Sequence, residues 1–466
     1  MTATAVYPAG LYGTAERPTD FATPRRLDST WLVGVYIVVL LVIPSPLQIG
    51  PLGAAGGPAN ILGLAALGWW ACARFRPGGM AWGFSPVRWA VVAFVVSIFA
   101  GFVAAALRPL TAVEGGGADR TLLTLIGFAG IALVAADGIA TREHLDRTVR
   151  LLVNVTTAFA LAGILQFYTA IDVAKYVSIP GLTPAVPVTA DFALQERSGL
   201  RRVVSTSSHP IEYGVVLAIV LPIALHLALA AADEDRRKRW ACVVVIGFAA
   251  PLALARSAVL GVLVGMVVMW CGWAWDRKKT AIKVAIVYLV VTRLLVDGLL
   301  GAIKNMFLHM ADDPSYQGRT MDYVLVGRMV SDAPWMGHGL GTFDPAVYFI
   351  LDNQYLGTLI ETGVVGLTGM IVLLLVGVFT ARSVRRMGRE ANLGDLGELG
   401  GAMAASMLVV IVTFITFDAF AFRMVTGVLF VLLGLIGAAW RVARVESAPV
   451  APPAARSWPI PRSIRT

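Results

Sequence analysis

The sequence predicts an all-α integral membrane protein with about twelve transmembrane helices. The chain has 466 residues, of which 57% are hydrophobic and only 14% are charged, and its mean hydropathy is +0.75. Soluble domains carry about 25% charged residues. Apolar runs close to the roughly 20 residues of a spanning helix recur along the chain. Lys and Arg gather in the short segments between these runs, which is the pattern of a multi-pass membrane protein.

The apolar runs divide the chain into one membrane domain and two tails. We predict a polar, disordered cytoplasmic tail at 1–30, a polytopic domain at 31–441, and a disordered Pro- and Ala-rich tail at 442–466. The predicted spans are 31–48, 59–75, 87–107, 121–140, 147–169, 210–231, 240–255, 257–275, 280–300, 354–381, 400–418 and 423–440.

The cationic segments predict the orientation. They all lie on one side of the membrane if both termini are cytoplasmic, and the segment 46–60 on the opposite side has no Lys or Arg. This places the protein in the cytoplasmic (inner) membrane, with long outer loops at 170–209 and 301–353. Cysteines introduced at Ser207 and Thr342 should then react with a reagent added from outside, and one at Ser383 should not.

The stretch 318–366 is the longest part of the second half that is not plainly apolar. It is rich in polar residues and glycine, and it ends in an apolar helix that carries Glu361. Charged groups at membrane depth are costly and usually functional. The alternative is a solvated loop that ends in an acidic helix cap.

Arg256 interrupts an apolar run of more than thirty residues, and Arg202 lies in the first outer loop. Read alone, Arg256 could be an interfacial anchor and Arg202 a solvated loop residue. Together they indicate an anionic ligand at the outer face, because a guanidinium grips phosphate oxygens in a bidentate way and stays charged.

Several functional classes are excluded or not supported. The net charge of +9 reflects the positive-inside pattern and does not indicate nucleic acid. There is no P-loop, GxSxG or HExxH motif, and the five histidines form no i,i+4 pair. The three cysteines predict neither disulfides nor a metal site. We interpret the GHGLG of 337–341 as a tight turn, since no strand precedes it.

Four motifs occur in a characteristic order. They are RRVVSTSSHPIEYG at 201–214, ARSAVLG at 255–261, APWMGHGLGTF at 333–343 and DNQYLGTLIETGVVGL at 352–367. In this order they resemble the O-antigen ligase and polymerase superfamily, integral membrane glycosyltransferases of bacterial surface polysaccharide assembly. The motifs cover about 200–375, and the topology resembles the family over the whole chain.

The resemblance implies a glycosyltransferase-C-like helical fold with its core at about 200–380. It implies a glycan donor on undecaprenyl pyrophosphate at the outer face, a glycan or lipid acceptor, and no cofactor or metal. Arg202 and Arg256 match the arginines that hold the pyrophosphate. Arg319 matches the Arg that opens the helix of the second loop, and Glu361 matches the acidic residue of the E-x-G-x-x-G ending. A flippase and a chain-length regulator are the partners that the family suggests, besides membrane lipids.

One position departs from the family. The ligase branch has His before the Asn of the closing motif, where it is thought to serve the acceptor hydroxyl, and this chain has Asp352. That favours a chain polymerase, or a ligase to an acceptor other than lipid A. Asp352 is the first candidate for a general base, with Glu361 and His338 behind it. The alternative for Asp352 is a helix N-cap.

Two rival classes remain. A transporter or flippase of lipid-linked glycans, or of another anion, would bind its substrate near the midplane, at broken helices. Here the unusual charges lie at the outer ends of the spans, which favours an outer-face enzyme. A structural scaffold of an assembly complex would leave Arg256 unexplained.

Overall fold

The computed structural model describes residues 28–76, 83–185, 196–197, 199–308 and 314–448, with only the backbone described for Ala54 and for 314–322. Its described part is almost entirely helical. The α-helices are α1 Thr30–Val42, α2 Pro58–Arg74, α3 Pro86–Ala106, α4 Ala112–Gly138, α5 Arg142–Thr169, α6 Pro210–Ala230, α7 Asp233–Ala249, α8 Arg256–Cys271, α9 Trp275–Leu295, α10 Leu299–Leu308, α11 Pro314–Asp332, α12 Gln354–Glu390, α13 Asp395–Thr413 and α14 Arg423–Glu446. Two-residue strands β1 Leu47–Gln48 and β2 Thr183–Pro184 pair antiparallel, as do β3 Glu196–Arg197 and β4 Leu200–Arg201.

Each predicted span overlaps at least one of these helices. The all-α membrane fold is therefore confirmed, whereas the count of twelve spans stays a prediction. Among the described residues, seven helices are long and apolar enough to cross a membrane, and α9 with α10 would make an eighth as a broken span bent by 107°. The shorter α1 and α8 are apolar as well. The boundaries differ locally, because α4 begins nine residues before 121 and α14 runs beyond 441, into the predicted tail.

Helices α4, α6 and α14 form the interior of the bundle. Their most apolar windows are 83%, 83% and 89% buried, against 39% for the peripheral α3. Small residues let the backbones approach closely, as in other membrane bundles. A Cβ atom on Gly63 of α2 would lie 2.3 Å from the carbonyl oxygen of Gly127 on α4.

At one end of the bundle, called the Asp137 end, ion pairs and hydrogen bonds connect the helices. Asp137 at the end of α4 accepts two hydrogen bonds of 3.0 Å from Arg88 and one of 3.0 Å from the indole N–H of Trp70. Arg74 lies 3.7 Å from the same carboxylate, and Arg441 donates to the backbone carbonyl of Asp137 at 2.8 Å. This end holds α2, α3, α4 and α14 together.

The second predicted outer loop, 301–353, is partly helical. It contains most of α10 and all of α11, and α11 packs on the start of α12 through an apolar cluster of Val326, Leu351 and Ile360. Of the first predicted outer loop, residues 186–195 and 198 lie outside the described part of the chain.

Candidate functional site

Four segments meet at the opposite end of the bundle, called the Asp352 end: the starts of α6, α8 and α12 and the turn between α13 and α14. The N–H of Gln354 donates to the carbonyl of Phe414 at 2.9 Å. The hydroxyl of Thr416 donates to that of Ser257 at 2.8 Å. These bonds tie the turn to α12 and α8.

Arg202 approaches the start of α8 from the preceding loop. Its Nε donates to the carbonyl oxygen of Ala253 at 3.4 Å, and Ala253 belongs to the 3₁₀ turn Ala250–Ala253 that leads to Arg256. Burial, with Arg197 nearby, lowers the pKa of Arg202 to about 10. The group is therefore still a cation at neutral pH.

Arg256 is the first residue of α8 and is half-buried. Its Nε donates to the carbonyl oxygen of Met306 in the last turn of α10 at 2.9 Å. A guanidinium has five N–H donors, so this bond does not exclude a phosphate contact through the Nη groups. A cation at a helix N-terminus faces the positive end of the helix dipole, and that combination attracts an anion.

Asp352 is not the helix cap. Asn353 caps α12, because its side-chain oxygen accepts from the N–H groups of Tyr355 at 3.0 Å and Leu356 at 3.2 Å. The cap alternative for Asp352 is therefore wrong. Asp352 precedes the cap, is half-buried, and acts electrostatically on His209 and Asp418.

Helix α12 is broken at Gly363, where φ is 62° and ψ is −164°. The turn predicted for GHGLG, together with the three residues before it, fills the break. The N–H groups of His338 and Gly339 donate to the carbonyls of Ile360 and Glu361 at 2.9 Å. On the other side of the break, the N–H of Val364 donates to the carbonyl of Pro334 at 2.9 Å and that of Val365 to Trp335 at 3.2 Å. The backbone groups freed by the break are thus satisfied inside the protein, as membrane depth requires.

The break positions Glu361 and His338. The carboxylate of Glu361 lies within hydrogen-bonding reach of the backbone N–H groups of Gly341 and Phe343, with Asp418 close by. The Nε2 atom of His338 lies 2.8 Å from the carbonyl oxygen of Met329. The imidazole of His338 therefore contacts α11.

Arg319 lies within α11, five residues after the helix begins, and not at its start as the resemblance implied. Its side chain is outside the described residues, so its part in the site stays a prediction.

The structure adds His209 and Asp418 to the site. The charged and titratable groups interact electrostatically in four pairs: Arg202 with His209, His209 with Asp352, Asp352 with Asp418, and Asp418 with Glu361. Burial, then Arg202, lowers the pKa of His209 to about 4. Burial, then Asp352, raises the pKa of Asp418 to about 6.

Sequence reasoning missed these two groups as site residues. The signals were a His directly before the Pro that opens α6 and an Asp in a short turn between two apolar helices. Both residues lie among the charges that the sequence places at the outer ends of the spans. What the sequence does not show is which of those charges face each other.

The fold and this site define a class of protein: a polytopic helical membrane protein with guanidinium, imidazole and carboxylate groups gathered at one end. A family model confirms the predicted resemblance. Residues 241–371 match the model described as O-antigen ligase, and the match supports a membrane protein that ligates or polymerises glycans. The matched part includes Arg256, Asp352 and Glu361, while Arg202 and His209 precede it. No curated protein matches the chain.

Proposed function

We propose that the protein is a membrane glycosyltransferase that ligates or polymerises glycan from an undecaprenyl-pyrophosphate-linked donor at the outer face of the cytoplasmic membrane. The observation that carries the proposal is that Arg202 and Arg256 come to the same end of the bundle as Asp352. Arg202 bonds the turn that leads into Arg256, and Asp352 acts on His209, which in turn neighbours Arg202.

The reaction is a direct displacement. The acceptor hydroxyl attacks the anomeric carbon, the bond from that carbon to the pyrophosphate oxygen breaks, and the electron pair leaves with the undecaprenyl pyrophosphate. Arg202 and Arg256 stabilise the charge that develops on the leaving group. Asp352 takes the hydroxyl proton. One displacement inverts the anomeric configuration, and no step requires a metal.

Asp352 is the preferred base among the three candidates. The imidazole of His338 is hydrogen-bonded to the carbonyl of Met329. The carboxylate of Glu361 faces the amides of Gly341 and Phe343, so it fixes the turn to α12. Asp352 lies at the same end of the bundle as the two arginines, acts electrostatically on His209 and is not used as a cap.

A carboxylate at the position of the family's His favours a polymerase, or a ligase to an acceptor other than lipid A. The acceptor in the polymerase case is the terminal sugar of a second lipid-linked chain. A flippase that delivers the donor and a regulator of chain length are the partners proposed for such an enzyme.

A transporter of lipid-linked glycans is the second candidate, because a broken helix is present. Two features weigh against it. Arg202, His209, Asp352 and Asp418 lie in loops and turns outside the α-helices, and not at the break. The backbone of the GHGLG turn and the residues before it also fills the break.

The purified protein in liposomes, given undecaprenyl-pyrophosphate-linked glycan, separates the two functions. A glycosyltransferase consumes the donor, releases undecaprenyl pyrophosphate and gives polymer or ligated glycan. Movement of intact donor across the bilayer without its consumption would contradict the proposal and establish the transporter. Absence of both movement and consumption would contradict the proposal as well.

The proposed orientation needs labelling sites other than Ser207 and Thr342. These residues are only 3% and 4% exposed, so a reagent would not reach a cysteine there even on the outer side. Ala346 and Glu234 are exposed at the predicted outer and inner ends. In a chain without native cysteines, Ala346→Cys should react from outside the cell and Glu234→Cys should not. The reverse pattern would contradict the orientation.

A further inference from the structure

The segment 203–207, which directly follows Arg202, is buried although the sequence predicts it within an outer loop. None of its five residues is more than 6% exposed. Buried backbone groups need hydrogen-bond partners inside the protein, and α1 and α5 supply several of them here. The hydroxyl of Thr206, for example, donates to the carbonyl oxygen of Leu41 on α1 at 2.7 Å. The position of Arg202 therefore depends on the helices that hold the residues after it.

Gln166, in the last turn of α5, is the acceptor for two of these backbone groups. Its side-chain oxygen Oε1 accepts hydrogen bonds from the N–H groups of Val204 at 2.9 Å and Ser205 at 2.8 Å. Two N–H donors require an oxygen at this place, so they define the orientation of the amide. Gln166 is only 1% exposed. One buried side chain thus satisfies two consecutive backbone donors that an apolar residue would leave without an acceptor.

Helix α5 also holds the chain on both sides of Arg202. Before it, the Nη1 group of Arg201 donates to the carbonyl oxygen of Phe167 at 2.9 Å. After it, the hydroxyl of Ser205 donates to the carbonyl oxygen of Phe159 at 2.9 Å. Arg202 is therefore carried by a short stretch of backbone whose two ends are hydrogen-bonded to the same helix.

Ser205 has a backbone conformation that residues other than glycine rarely adopt. Its φ is 55°, in the left-handed region, and such a conformation persists only where the surrounding contacts hold it. Four non-glycine residues in the described part of the chain have a positive φ, and two of them flank the arginines of the site. Ser205 lies three residues after Arg202, and Leu254 lies two residues before Arg256. Strained backbone of this kind clusters at ligand-binding sites.

A hydrogen bond joins these two strained turns. The Nε of Arg202 donates to the carbonyl oxygen of Ala253 at 3.4 Å, and Leu254 follows directly. A pyrophosphate held by two guanidinium groups needs a set distance between them, and groups fixed before binding lose less freedom when the ligand arrives. If Ser205 relaxed to an ordinary φ, the backbone leading back to Arg202 would change direction. The distance between Arg202 and Arg256 would then no longer be set.

We propose that Gln166 positions Arg202 for the pyrophosphate of the donor, by holding the turn at Val204 and Ser205 in its strained conformation. Gln166 is in this role a positioning residue, because its amide oxygen bonds the backbone that carries Arg202. The inference rests on the proposed function, in which Arg202 and Arg256 hold the leaving group.

Gln166→Met removes the acceptor and keeps the approximate size of the side chain. The probe is undecaprenyl pyrophosphate, whose Kd for the purified protein in nanodiscs is measured by calorimetry. Gln166→Met should raise this Kd by about tenfold, which is within the usual range of coupling between residues of one hydrogen-bond network. Ser29→Ala is the matched control, because it removes a buried hydrogen bond, to the carbonyl oxygen of Val134 at 3.0 Å, at the Asp137 end. Ser29→Ala should lower the unfolding temperature and leave the Kd unchanged.

A double-mutant cycle separates positioning of Arg202 from a general structural role. If Gln166 acts through Arg202, then Gln166→Met should cause little further change in the Kd once Arg202→Ala is present. If Gln166 only supports the fold, the two substitutions should be additive, and that result would overturn the inference. Gln166→Asn, which withdraws the amide by one methylene, is the milder variant for the same cycle if Gln166→Met does not fold.

The outcomes also separate this inference from the proposed function. An unchanged Kd in a folded Gln166 variant would overturn the positioning role while the wild type still binds undecaprenyl pyrophosphate. Failure of the wild type to bind undecaprenyl pyrophosphate would overturn the proposed function, and the positioning role with it.

Discussion

The arginines at the two ends of the bundle donate to different kinds of acceptor. At the Asp137 end, Arg88 is paired with a buried carboxylate at 3.0 Å, and side-chain exposures of 6% and 1% keep the pair from water. At the Asp352 end, Arg202 and Arg256 donate to the backbone carbonyls of Ala253 and Met306. Backbone carbonyls thus fix the direction of both guanidinium groups at the Asp352 end, whereas a carboxylate fixes that of Arg88.

The difference indicates different tasks. A carboxylate neutralises a guanidinium and locks two helices together, and breaking such a buried pair is costly. A backbone carbonyl that accepts from Nε fixes the direction of a guanidinium, and the Nη groups keep their own N–H donors. Arginines held in this way suit an anion that arrives and leaves, such as a pyrophosphate, because the protein gains rigidity before the ligand binds.

The largest effect on stability is expected at the Asp137 end. Asp137→Asn keeps the volume but leaves Arg88 buried without its anion, and loss of one partner of a buried pair costs about 3–5 kcal/mol. Thermal unfolding in detergent should show this loss, while activity per folded molecule is retained. Glu143→Gln is the control, because its pair with Arg147 is exposed and such pairs contribute about 0–1 kcal/mol.

The largest effect on activity is expected at the Asp352 end. Arg256→Ala removes one preorganised donor of the leaving-group site and should lower turnover by about 10²–10³-fold. Arg256→Lys keeps the charge but loses the planar fork, so it should also fall strongly. Both proteins should stay in the membrane at normal levels, and exposed Arg147→Ala should be silent. Full turnover by Arg256→Ala would show that Arg256 is an interfacial anchor and does not stabilise the leaving group.

A smaller effect on stability is expected at Gly363. There the turn of the APWMGHGLGTF motif packs against the helix of the DNQYLGTLIETGVVGL motif. The backbone conformation of Gly363 is nearly exclusive to glycine, and another residue there costs about 1–3 kcal/mol. A Cβ atom would also lie 2.3 Å from the carbonyl oxygen of Trp335. Gly363→Ala should therefore lower both the unfolding temperature and turnover, since it displaces Glu361. Gly327→Ala in α11, where nothing lies within 4 Å of the added Cβ, is the control, and equal behaviour of the two variants would contradict the account.

The helices were predictable because each predicted span is an apolar run bounded by charges or turn residues. The helix break was not. Gly363, Gly366 and Gly369 all lie in one apolar run, and the sequence does not show that only the first leaves the helical conformation. The break depends on hydrogen bonds from a turn that the sequence places in another motif.

The site was predictable in part. Arg202 and Arg256 stand out from their surroundings, so charge alone identified them. The adjacent residues Asp352 and Asn353 both suit an N-cap. Only the geometry shows that Asn353 caps α12 and that Asp352 does not. His209 packs on Phe422 in the turn before α14 and is an electrostatic neighbour of Asp352, and no local pattern in the sequence encodes that arrangement.

Turnover of Asp352→Asn tests the central claim most directly. Asn preserves the size and polarity of the side chain but cannot accept the proton, and Asn353 still caps α12. With purified protein and lipid-linked donor, we expect turnover to fall by about 10²-fold or more at an unchanged unfolding temperature. An Asp352→Asn enzyme that works at the wild-type rate would show that Asp352 is not the base, and would contradict the proposed mechanism at the Asp352 end.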